Sequence, residues 1–166
     1  MAKRVDINIS SVGGESRTTS TLDFLDDVIA KRSVKTQIKR DVGNFLIDTI
    51  LESVAEQKTP VSGEKYKASL SREYKKRKQA EGGSSVADME LFGDMLDSLK
   101  FKNTSTGIEI GWFGKQANKA DGHLHFSGRD SFAPRRRFIP GEGQKFKRDV
   151  ESEIQRIIAE HIDAKD

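Results

Sequence analysis

Asp121, His123 and His125 form a D-x-H-x-H cluster of side chains that can ligate a metal. On a strand, residues i and i+2 share a face, so a strand here would aim both imidazoles at one ion with the carboxylate beside them. The segment is flanked by glycines, however, and the remaining histidine is His161, far along the chain. No third ligand is evident, and ordinary loop histidines are the favoured reading. Nucleophilic chemistry has less to start from. The chain contains no cysteine, which excludes disulfides, thiolate zinc or iron–sulfur sites and a cysteine nucleophile together. No serine sits in a G-x-S-x-G turn, and no glycines fall into G-x-x-x-x-G-K-[ST] or G-x-G-x-x-G. Neither a strained nucleophile nor a phosphate cradle is signalled. The expectation is a protein that is not an enzyme, with no catalytic residues, cofactor or metal.

Phosphate neutralisation is the other chemistry the residue types allow. Lys58 to Lys78 holds eight basic and two acidic residues, a local charge of +6 that peaks in Lys75, Lys76, Arg77 and Lys78. Arg129 to Arg148 holds seven basic and two acidic residues, +5, centred on Arg135, Arg136 and Arg137. The last eighteen residues carry −4. Such runs can bind DNA through its phosphates with strong salt dependence, and Tyr66, Tyr74, Phe132 and Phe138 lie near them. No helix-turn-helix or ribbon signature accompanies them, so a solvated basic helix face and an arginine-rich subunit interface are favoured over a DNA-binding protein. Basic middle segments and an acidic end also let the chain pair with copies of itself.

Positioning these side chains falls to one domain's length of chain, 166 residues with 34% hydrophobic, enough for one modest core. Val5, Ile7 and Ile9 alternate as a short strand. The polar run from Ser11 to Thr21 reads as a loop or mobile arm, and Leu22, Leu25, Val28 and Ile29 as a short helix. Ile38, Val42, Phe45, Leu46, Ile50 and Val54 mark a long helix over 36–57, in which Gly43 allows a close packing contact. Tyr66, Leu70 and Tyr74 suggest a basic second helix, and Met89, Phe92, Met95, Leu96 and Leu99 a third over 88–98. Leu99 and Phe101, then Ile108, Ile110 and Trp112 across a turn-rich Asn103–Gly107, read as a hairpin. Residues 114–133 read as loop. A last helix carries Phe146, Val150, Ile154, Ile157, Ile158 and Ile162. The fold class expected is α+β, a small antiparallel sheet packed against a long N-terminal helix and a C-terminal helix. Residues 1–21 form a polar strand and arm, and 22–166 a single domain. The start MAKRVDINIS alternates where a signal peptide would run apolar, and no stretch approaches the roughly 20 apolar residues of a membrane helix, so a cytosolic, soluble chain is expected.

The order of these pieces resembles the phage virion morphogenesis family, the tail-completion and neck proteins of long-tailed bacteriophages. Four landmarks carry the resemblance. Pro60-Val61-Ser62 leads toward Tyr74-Lys75-Lys76-Arg77-Lys78. Met89 to Leu99 matches L-x-x-[TS]-G-x-[LM]-L-x-S-[LI], with Phe92 where the family has Ser or Thr. Ile108-Glu109-Ile110-Gly111 matches V-x-[VI]-G, followed by a loop with a histidine. Arg136-Arg137-Phe138-Ile139 matches R-[PR]-F-[LI] before the terminal helix.

The resemblance implies a structural virion protein, a head–tail joining or tail-terminator subunit. It would assemble into a homo-oligomeric ring of about six or twelve copies at the head–tail junction or the head-proximal tail end. Its partners would be a portal or connector adaptor and tail-tube or tail-terminator proteins, with contact to DNA in the lumen and none to a membrane. In that reading Gly93, Met95, Leu96, Leu99, Phe138 and Ile139 are structural. Lys75, Lys76, Arg77, Lys78, Arg135, Arg136 and Arg137 reach a neighbouring subunit or partner.

Overall fold

Val34, Ile38, Val42, Leu46, Ile50 and Val54 recur at every fourth residue and are all buried, and they make Arg32–Ala55 a helix of 24 residues, α1. Burial of each such side chain contributes about 1.5–3 kcal/mol. That burial holds the helix, because Lys31 at its N-cap gives no side-chain cap bond. The computed structural model describes residues 4–25, 31–56, 58–65, 76–77, 80, 93–128 and 137–163. Val28, Ile29, the Tyr66/Leu70/Tyr74 stripe, Met89, Phe92, Phe132, Lys75, Lys78, Arg135 and Arg136 lie outside the described residues.

Four strands pair antiparallel: β1 Asn8–Val12, β2 Arg17–Asp23, β3 Lys100–Asn103 and β4 Gly107–Phe113, in the order β1-β2-β4-β3. With the helices beside this sheet, the fold is α+β. The β3–β4 hairpin follows the alternation of its sequence, with Phe101 opposite Ile110 and Asn103 opposite Ile108. Thr18, Ser20 and Leu22 of β2 lie opposite Trp112, Ile110 and Ile108 of β4. All six are fully buried, and they form the face turned to the helices. On the other face Thr19 donates to a Glu109 carboxylate oxygen at 2.8 Å, and Arg17 sits 3.4 Å from the same carboxylate.

β2 corrects the reading of 11–21 as a loop or arm. Ser and Thr can line a core when their hydroxyls find partners, and here Thr18 Oγ1 donates to the Ala117 carbonyl at 2.8 Å and Ser20 Oγ to the Pro140 carbonyl at 2.5 Å. The boundary drawn between residues 21 and 22 falls inside this strand. Leu22 lies within a strand that ends at Asp23 and does not open a helix. The first strand is Asn8–Val12, shifted beyond Val5 and Ile7. Val5 is instead clamped by Gln155, which accepts from its N–H at 3.0 Å and donates to its carbonyl at 2.7 Å.

After β4 the chain forms a helix, Ala117–Leu124, α3, where a loop was expected. Its buried Ala117, Ala120, Asp121 and Leu124 have helical spacing, but small residues and an Asp-Gly pair conceal it in the sequence. A short helix, Gly93–Asp97, α2, precedes β3, and Arg148–Asp163, α4, closes the fold. Phe138 and Ile139 lie in a bend and are fully buried. Gly43 lets β3 approach α1, since a Cβ there would stand 2.4 Å from the Phe101 ring. No described helix is long and apolar enough to cross a membrane.

A polar contact ties α1 to α4, His161 Nε2 to Asp41 Oδ2 at 2.6 Å. Burial would raise the Asp41 carboxyl, but the His161 hydrogen bond and then Arg40 outweigh it and hold it below its ordinary value. A carboxyl depressed in the folded state contributes stability above its unfolded pKa and loses it as pH falls through the folded one. The thermal midpoint is therefore expected to fall on acidification below about pH 4, and Asp41→Asn to flatten that part of the profile while lowering the midpoint at neutral pH.

Candidate assembly surfaces

The fold does not set the D-x-H-x-H cluster on one face of a strand. His123 lies inside α3, and His125 is its C-cap residue in the left-handed conformation, φ 59° and ψ 34°. The strand that would have aligned the two rings is absent, and the His123 ring stands against Phe138, 6.3 Å between centroids. Asp121, 2% exposed, accepts from the Ser127 backbone N–H at 2.9 Å and from Ser127 Oγ at 2.6 Å. Among the described residues no group of three or more His, Cys, Asp or Glu is placed to hold a metal.

Asp121 instead ties the turn after α3 to the helix, beneath the β1–β2 connection. A Cβ on Gly13 would fall 2.4 Å from both Asp121 Oδ1 and Ser127 N. Sequence reasoning missed this role; its signal is an Asp that precedes a helix end by a few residues with a Ser just beyond. Asp121→Ala removes the acceptor of two Ser127 donors, and because Ser127 is itself exposed, water offsets much of the ~1–3 kcal/mol that each donor would cost if left unmet in the interior. The expected loss is at the lower end of that range for the pair, read from urea unfolding, with Ser127→Ala adding little once Asp121→Ala is in place.

Arg137 reaches back over the body. Its guanidinium lies 5.2 Å from the Phe126 ring centroid, and its backbone carbonyl accepts from Thr59 Oγ1. The same guanidinium passes over Gly141, where a Cβ would stand 2.9 Å from Nη1. The structure thus places Arg137 on α3's turn and the stretch before α4. Lys76 and Arg77 are exposed and helical. Met95 is fully buried, Leu99 6% exposed, and Leu96 packs at the core's margin, with Gly93 opening α2.

Charged surfaces also lie on the helices, of which the sequence showed the acidic end of the chain but not the basic half of α1. α1 carries Arg32, Lys35, Lys39 and Arg40 against a single acid, Asp41, in its N-terminal half, and only the acids Asp48 and Glu52 in its C-terminal half. Negative charge is favoured at a helix N-terminus and positive charge at the C-terminus, so this order opposes the helix dipole. The crowding is felt within the fold: burial, and then the charges of Lys35 and Arg32, hold Lys39 below its ordinary pKa. Lys39 Nζ donates to the Thr104 carbonyl at 2.6 Å, which sets the basic half of α1 beside the β3–β4 turn, and exposed Lys100 and Lys102 lie on β3. α4 turns Asp149, Glu153, Arg156 and Glu160 outward. Arg156 is held between Glu153 and Glu160, and its hydrogen bond keeps Glu153 below the usual carboxylate range. A basic surface and an acidic one thus stand on different elements of one subunit.

The phage virion morphogenesis family matches this chain over residues 17–163. No curated protein and no solved structure gives a match.

Proposed function

The chain belongs to the phage virion morphogenesis family, and from that membership we propose that it is a tail-completion or neck subunit, structural and not catalytic, which assembles into a ring at the head–tail interface. The observation that carries this reading is the family match, which runs from β2 through α4 and so takes in nearly the whole fold. The surfaces support it. A ring is built from head-to-tail contacts between two different patches of each copy. The basic patch of α1's first half with Lys100 and Lys102, and the acidic outer face of α4, form such a pair. Exposed charges of this kind steer encounter and select partners more than they supply affinity, which suits an interface that forms only when the virion is assembled. The remaining partners in this reading are a portal or connector adaptor on one side, tail-tube or terminator proteins on the other, and DNA in the lumen.

Light scattering across protein concentration and salt tests the proposal. A ring-sized particle, or a monomer that becomes one when connector or tail-tube protein is added, is the expected result. A chain that never exceeds a dimer with those proteins, and shifts in mass only when duplex DNA is supplied, overturns it in favour of a small DNA-binding protein.

A further inference from the structure

Ser33, Gln37, Arg40, Asn44, Asp48, Leu51 and Ala55 are spaced 4, 3, 4, 4, 3 and 4 along α1. At about 100° per residue all seven lie within roughly 40° of Asn44, a single stripe down the helix. Gln37 is half-buried and the other six are exposed; Leu51, at 36%, is one of two large hydrophobic side chains that stay exposed among the described residues. The spacing averages about 3.7 residues, the period of one face of a nearly straight helix, and it reads the same in both directions from Asn44.

We infer that this stripe is a two-fold docking surface for a second copy of the chain, in which two α1 helices pack antiparallel about Asn44. The symmetry sets each contact. Asn44 meets Asn44 of the other copy, Arg40 meets Asp48 twice, Gln37 lays its methylenes on Leu51 twice, and Ser33 and Ala55, both small, let the ends approach. A parallel pair would instead set Arg40 on Arg40 and Asp48 on Asp48. Antiparallel packing also explains the charge order of α1. The basic half that opposes its own helix dipole comes to lie beside the acidic half of the other copy, and the two dipoles run in opposite directions. With one exposed leucine per copy, the contact belongs to the weak, transient class. It closes at two copies and occupies the basic half of α1 that the ring reading gives to a neighbour's α4, so the two contacts compete for one surface and this one does not rest on that reading.

The absence of cysteine from the chain makes the test direct. Helices packed with axes about 8–10 Å apart bring facing Cα atoms on the dyad to roughly 4–5 Å, within disulfide reach. Under mild oxidation Asn44→Cys is expected to form a two-copy disulfide species readily, and Lys115→Cys, at an exposed position off the helix, at least tenfold less. In sedimentation at low salt, Arg40→Glu and Asp48→Arg are each expected to weaken the wild-type dimer about tenfold or more. Mixed together they should restore a dimer. The introduced glutamate of one chain then faces the introduced arginine of the other, and the unaltered Asp48 of the first faces the unaltered Arg40 of the second. Equal crosslinking of the two cysteine variants, a mixture that stays monomeric, or a wild-type chain with no two-copy species overturns the inference.

Discussion

Gly111→Ala is expected to destabilise the folded chain by about 2–6 kcal/mol, adding a strained backbone to an overpacked contact. Gly111 lies on β4, the strand between β2 and β3, opposite Thr19 on one side and Lys100 on the other. Its φ is 148°, which a side chain seldom adopts, and a Cβ there would stand 2.3 Å from the Thr18 carbonyl oxygen and 2.8 Å from the Thr19 Cα. Both are main-chain atoms, so no rotamer change relieves the clash. Nor can β2 withdraw, because Thr18 is fully buried and its hydroxyl is bonded to α3 through the Ala117 carbonyl. Against a total stability of about 5–15 kcal/mol for a domain of this kind, such a loss empties much of the folded population at physiological temperature. Gly114→Ala is the control, with a positive φ of 93° but nothing within 4 Å of its Cβ; it should lose the backbone term alone. Equal losses for the two variants in denaturant unfolding would refute the account of Gly111 as a close approach between strands.

The glycine also shows where the sequence stops being informative. Ile108, Ile110 and Trp112 announce β4, and the leucine, isoleucine and valine stripes announce α1 and α4, because in those elements burial is done by apolar side chains at one period. β2 has a period of its own, but Thr18 and Ser20 occupy its buried positions, and their hydroxyls are satisfied by carbonyls 99 and 120 residues away. No local pattern distinguishes such a strand from a polar loop. α3 was hidden in the opposite way, since Asp121-Gly122 has the composition of a turn while the chain continues through it as helix. The surfaces divide similarly. The lysine and arginine runs are plain in the sequence, yet the charge order along α1 acquires meaning only when the helix shows which residues share its outer face.

Trp112→Ala carries the other large expected loss, about 3–5 kcal/mol, and bears on what the family's motifs are for. The indole is fully buried, its N–H donates to the Met95 carbonyl at 2.5 Å, and the Phe138 ring meets it edge-on, 5.2 Å between centroids at 79°. Met95 belongs to the second landmark of the resemblance, Trp112 directly follows the third, and Phe138 belongs to the fourth. Segments far apart in the chain thus converge on one side chain, which joins α2, β4 and the bend before α4. Trp112→Phe keeps most of the apolar volume but leaves the Met95 carbonyl without its donor, so it should lose about 1–3 kcal/mol. A double-mutant cycle with Phe138→Leu should give a coupling of about 0.5–1.5 kcal/mol beyond the area buried. Coupling near zero would mean that the two rings act independently. If the coupling appears, these motif residues hold the subunit's own core.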